Sequence, residues 1–93
     1  MKPQSEKETT PNRGLEDLER RVASILQLSD DGLRDQFIKI AAEETPTQSY
    51  EQAFDLATEH FDARMSREFA KAARFLAIIR RDYGDDQFQE VVS

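Results

Sequence analysis

Five cationic side chains share one face of a helix that the sequence predicts in its second half. On a helix their spacing places them within an arc of roughly 100°. We call these five residues the basic stripe: Arg64, Arg67, Lys71, Arg74 and Arg81. Ile78 falls inside the same arc, and an apolar residue framed by cations is typical of an interface anchor. The stripe and Ile78 are therefore the candidate partner-binding residues.

Charge is divided unevenly along this chain of 93 residues, whose formal net charge is −6. Residues 63–83 carry six bases against two acids, whereas residues 14–62 carry twelve acids against four bases. The basic stripe is therefore a docking surface for an anionic partner, a face matched by the chain's own acidic half, or a solvated helix face. These three interpretations stay open at the level of the sequence.

Among external partners, the sequence favours another protein with an acidic or mixed surface. Nucleic acid bound to the basic face of the helix over 63–83 is the alternative. It is disfavoured because nucleic-acid-binding domains are usually basic overall, and a negative chain repels the phosphate backbone. The second predicted helix also begins with Asp30 and Asp31, where a recognition helix would meet phosphates.

Little else in the sequence could do chemistry, and we predict that the protein is not an enzyme. His60 is the only histidine and there is no cysteine, so thiolate chemistry and a two-histidine zinc site are excluded within one chain. Glu51, Asp55, Glu59 and Asp62 form a carboxylate row on one helix face. A linear row does not converge on a cation, so we predict no metal ion, no cofactor and no catalytic residue.

Apolar spacing predicts which elements position these residues. Steps of three and four residues predict helices over about 14–28 and 30–43, the second capped by Ser29. Pro46 then breaks the chain, and a third helix is predicted over 49–82, capped by Thr47 or Ser49. A single helix of that length would exceed the width of so small a domain, so a bend or split near 59–66 is preferred over one long helix.

The 49–82 region has three faces if it is helical. Besides an apolar face and the basic stripe it carries small residues, which either pack against another helix or face solvent: Ala63, Ser66, Ala70, Ala73 and Ala77. Gly84 is available to end the region, and a short last helix is predicted over 86–92. The fold class is thus all-α, a small bundle of three to four helices.

The domain organisation is predicted to be a disordered tail over 1–13 and a single helical domain over 14–93, because the tail contains only one apolar residue. No apolar run is long enough for a membrane span and the start does not look like a secretory signal, so a cytoplasmic location is expected. Apolar residues left over near the end of the chain, among them Tyr83, Phe88, Val91 and Val92, predict a homodimer formed through the 50–82 region. The profile resembles that of small regulators such as antitoxins, inhibitors, anti-activators and secretion chaperones, which implies a protein that binds and modulates another.

Overall fold

Five α-helices follow one another along the chain, and no strand occurs in the part that the structure describes. They are α1 (Lys2–Leu28), α2 (Asp31–Glu43), α3 (Pro46–Ala57), α4 (Ala63–Tyr83) and α5 (Asp85–Val92). The computed structural model describes residues 14–93 in full, and the predicted disordered tail over 1–13 lies outside those residues. The all-α fold class is confirmed. The predicted count of three to four helices is wrong, because the region over 49–82 forms two helices.

The split between α3 and α4 occurs at residues 58–62, close to where a bend was preferred. The amides of His60 and Phe61 both bond to the carbonyl oxygen of Ala57, at 3.0 and 2.8 Å, and close the last turn of α3. Asp62 then begins α4, because its carboxylate accepts a hydrogen bond from the amide of Met65 at 2.8 Å. Asp62 therefore acts as a helix cap, and its place in the predicted carboxylate row is secondary to that role.

Two predicted helix caps are wrong, and the helices they begin start one to three residues away from the predicted positions. α3 begins at Pro46 with Thr45 as its cap, because proline lacks the amide hydrogen that the first turn leaves unpaired. Ser49 lies buried inside α3, where its hydroxyl donates to the carbonyl of Ile40 at 3.4 Å. α2 is capped by Asp30, whose carboxylate accepts from the amide of Leu33 at 2.8 Å, whereas the Ser29 hydroxyl bonds back to Ile25.

α4 is the central element of the fold, because it packs against each of the other four helices. Its buried side chains cover about half of the circumference of the helix. They are Ser66, Phe69, Ala70, Ala72, Ala73, Leu76, Ala77 and Ile79. The ring of Phe69 meets the ring of Phe37 from α2 edge-on, with centroids 4.6 Å apart. Val22 from α1 and Phe88 from α5 complete the core on the other sides. α4 therefore positions every other helix.

α3 and α4 form a helical hairpin whose contact surface is built from small side chains. Ser49, Ala53 and Ala57 of α3 are all fully buried. On α4 the buried small residues that share one face are Ser66, Ala70, Ala73 and Ala77, whereas the buried Ala72 lies on the side of α1. We call these seven residues the small-residue seam. Side chains of this size let two helix backbones approach closely, and the face that the sequence left undecided is a packing face, except at the exposed Ala63.

Ser66 carries an unsatisfied polar group inside this seam. Its side chain is fully buried, and its hydroxyl has no hydrogen-bond partner among the described residues. We therefore expect Ser66→Ala to raise the free energy of unfolding by about 1 kcal/mol, because it removes a buried unpaired hydroxyl and introduces a better helix former. Urea unfolding followed by circular dichroism measures the change.

The matched control for this substitution is Ser49→Ala, in the same seam. The Ser49 hydroxyl does have an acceptor, the carbonyl of Ile40. We therefore expect Ser49→Ala to leave stability unchanged or to lower it by up to about 1 kcal/mol. A loss of stability in Ser66→Ala would show that the hydroxyl has a favourable partner after all.

α5 is held against the rest of the fold at both ends. Gly84 joins it to α4 with a φ of 101°, a conformation that favours glycine because it strains residues with a Cβ. Gln87 donates to the carboxylate of Glu19 in α1 at 2.6 Å, and Arg34 of α2 donates to the carbonyl of Val92 at 2.8 Å. These contacts close the end of the bundle away from the α3–α4 turn.

Candidate protein-binding surface

The basic stripe lies on the side of α4 that no other helix covers. Its five members, Arg64, Arg67, Lys71, Arg74 and Arg81, are all exposed. Ile78, predicted as an apolar anchor within the same arc, is half-buried. Most other directions around α4 face α1, α2, α3 or α5. The main solvent-facing side of the helix therefore carries the five cations of the stripe together with the acids Glu68 and Asp82.

The chain's own acidic half does not neutralise this surface. Within the described residues, the ion pairs of the stripe are Lys71 with Glu68 at 3.4 Å and Arg81 with Asp82 at 2.8 Å, both inside α4. Arg64, Arg67 and Arg74 form no ion pair in that part of the chain. Arg74 and Glu51 of α3 line the same small surface pocket without forming a salt bridge. The structure therefore does not show ion pairing between the stripe and the chain's own acidic half, which was one of the three interpretations of the stripe.

Arg81 differs from the other arginines of the stripe because it has a strong local partner. Its guanidinium donates two hydrogen bonds to the Asp82 carboxylate, at 2.8 and 3.2 Å. The hydrogen bonding lowers the pKa of Asp82 below its ordinary value, and the positive charge of Arg81 acts in the same direction. Asp82 therefore stays ionised at neutral pH and offsets the charge of Arg81, so the cationic surface is strongest between residues 64 and 74.

The carboxylate row lies on the outer side of the α3–α4 hairpin. Glu51, Asp55 and Glu59 are exposed, and Asp62 caps α4. No group of three or more potential metal-ligating side chains converges among the described residues. The prediction that all four lie on one helix face is wrong, because Glu59 and Asp62 fall in the turn after α3. Glu51 and Asp55 alone form an acidic surface on the face of α3 opposite the small-residue seam.

His60 lies in the turn between α3 and α4 with its side chain exposed. Its ring is 6.3 Å from the neighbouring ring of Phe61, measured between centroids. It makes no ion pair with the residues that the structure describes. The geometry around His60 thus offers no partner of the kind that orients a catalytic imidazole.

The apolar residues invoked for a homodimer are mostly used by the fold itself. Phe88 is buried, and Val91 and Val92 are half-buried against the core. Among large apolar side chains in the described part of the chain, the exposed ones are Leu28 at 62% and Tyr83 at 46%. Homodimerisation stays a prediction, and the surface left to support it is small.

The fold and this surface together define a helical protein with an acidic body and one exposed cationic face. No family model, curated protein or solved structure matches this chain significantly. No helix in the described part combines the length and apolar character needed to cross a membrane. The surface of the protein is therefore the feature that bears on its function.

Proposed function

We propose that this protein binds and modulates a partner protein, and that it recognises an acidic surface of that partner through the basic stripe. The observation that carries the proposal is the exposure of Arg64, Arg67 and Arg74 without an ion pair in the described part of a chain that is acidic overall. An acidic chain could have neutralised these side chains internally, and it does not. Carboxylates of a partner can pair with them when the two surfaces meet.

A protein partner fits the charge distribution better than nucleic acid does. Arg64, Arg67 and Arg74 extend over about 15 Å of helix, which suits a partner surface of modest size. The flanking α3 presents Glu51 and Asp55, which would repel a continuous phosphate backbone and would favour a partner with mixed charge. The proposal includes a cytoplasmic location and a regulatory role of the inhibitor, antitoxin, anti-activator or chaperone type.

The test compares charge reversal inside and outside the stripe. The double variant R67E/R74E reverses two unpaired cations, and R20E/K39E makes the same change of net charge at exposed positions of α1 and α2. A partner is first isolated from nuclease-treated extract of the native host, and its affinity for each variant is then measured. We expect R67E/R74E to weaken binding at least about tenfold, because the variant repels the carboxylates that the wild type pairs with.

The control should bind within about twofold of the wild type, since salt screens exposed charges that lie far from the interface. Equal binding by R67E/R74E and the wild type would contradict the proposal. The affinity of the protein for duplex DNA is the second measurement. Micromolar or tighter affinity for DNA, falling steeply as salt is added, would overturn the protein-partner proposal in favour of nucleic acid.

A further inference from the structure

An open cleft of about 410 Å³ lies beside the basic stripe, between α1 and α4. Its floor is apolar and is formed by Ile25, Ala72 and the half-buried ring of Phe75. Two cations flank this floor, and the carboxylate of Glu68 lines the cleft beside them. Lys71 belongs to the basic stripe, and the guanidinium of Arg21 lies 5.6 Å above the centroid of the Phe75 ring. The volume is within the range of sites that hold small ligands or single large side chains.

The ion pairs of the two flanking cations are local and weak, and Arg21 has the face of the Phe75 ring as a second contact. Arg21 is 3.6 Å from the Asp17 carboxylate, and Lys71 is 3.4 Å from the Glu68 carboxylate. All four side chains are roughly half exposed, at 47–56%. Exposed pairs of this kind contribute about 0–1 kcal/mol. Incoming carboxylates can therefore replace them at small cost.

We propose that the α1–α4 cleft receives a large apolar side chain from an acidic amphipathic helix of the partner, with Arg21 and Lys71 pairing with carboxylates on either side of that anchor. The inference deepens the proposed function and depends on it. An apolar floor flanked by cations is complementary to an apolar side chain flanked by acids. Without the anchor, docking would rely on exposed ion pairs alone, which give little affinity.

The basic stripe and the cleft are continuous, because Lys71 belongs to both. Arg67, Lys71 and Arg74 follow one another at helical steps, so a partner helix lying along α4 would meet them with carboxylates spaced three and four residues apart. The anchor would stand on the same helix, turned toward α1. One amphipathic helix can thus cover both features, which is the usual manner of helix-in-groove recognition.

The experiment selects binders of the whole protein from a displayed library of random peptides, each long enough for about four helical turns. We expect the recovered peptides to be rich in Asp and Glu and to share one large apolar residue at a fixed position among the acids. Their affinity is then measured for Ser24→Trp, which fills the cleft from an exposed position on its edge. The matched control is Gln27→Trp, exposed on the same helix and outside this cleft.

We expect Ser24→Trp to weaken peptide binding at least about tenfold and Gln27→Trp to change it less than about twofold. Acidic peptides without a shared apolar position, or acidic peptides that bind Ser24→Trp as well as the wild type, would overturn the cleft inference and leave the proposed function standing. A selection that yields no acidic peptides, or only basic ones, would overturn both. Loss of binding in R67E/R74E ties the peptides to the basic stripe, and its absence would contradict that link.

Discussion

Phe69→Ala is expected to lower the free energy of unfolding by about 3–5 kcal/mol, out of about 5–15 kcal/mol for a domain of this size. The ring is 1% exposed and lies where α4 meets α2. It contacts Phe37 edge-on at 4.6 Å and lies 6.1 Å from the ring of Phe61, measured between centroids. Truncation removes these contacts and leaves a cavity that fixed backbones cannot fill. The variant should therefore be partly unfolded at moderate temperature.

Urea unfolding followed by far-ultraviolet circular dichroism measures this loss. Phe54→Ala is the matched control, because that ring is half-buried and has Tyr50 at 6.5 Å as its aromatic neighbour. We expect Phe54→Ala to lower the free energy of unfolding by less than half as much as Phe69→Ala does, since less apolar area returns to water. Equal losses in the two variants would contradict the assignment of Phe69 to the centre of the core.

The second large effect is expected in the small-residue seam. Ala70 is fully buried between α3 and α4, so Ala70→Leu forces extra methylene groups into a closely packed interface. We expect a loss of about 2–3 kcal/mol, because the two helices must move apart to accept the larger side chain. Thermal unfolding measures this loss as a fall of the midpoint temperature by roughly 8–24 °C in a domain of this length.

Ala63→Leu makes the same chemical change at the exposed start of the same helix. We expect it to alter stability by no more than about 0.5 kcal/mol. If Ala70→Leu were as well tolerated as Ala63→Leu, the seam would have room that the structure does not show. The pair of variants thus separates the effect of packing from the effect of replacing alanine by leucine in a helix.

Much of the fold follows from local signals that the sequence contains. The three- and four-residue apolar spacing is sufficient for the all-α class, and Pro46 and Gly84 mark two of the helix boundaries. The split before α4 has no glycine or proline, and its signal is the cap Asp62, which is easily overlooked beside the other acids of α3. Phe54, Phe61 and Phe75 resemble core residues in the sequence and are half-buried, because burial depends on which helix covers each position.

The exposure of the candidate surface could not be predicted from local sequence patterns alone. The spacing of Arg64, Arg67 and Arg74 places them on one face, but their exposure depends on how α1 and α3 pack around α4. Part of the signal for the small-residue seam is present in the sequence, because Ser49, Ala53 and Ala57 repeat at four-residue steps that match the small residues of α4. The cleft beside Phe75 joins residues from α1 and α4 that are far apart in sequence, and nothing in the spacing of either helix indicates it.

The central position of α4 separates two kinds of mutational freedom. Inward positions such as Leu76 and Ile79 are fully buried, so most substitutions there would threaten folding. Positions such as Arg67 and Arg74 touch solvent and can change with little effect on the core. Under the proposed function, recognition and stability would be encoded on different sides of one helix, so substitutions in the basic stripe could change partner specificity while the bundle beneath it stays the same.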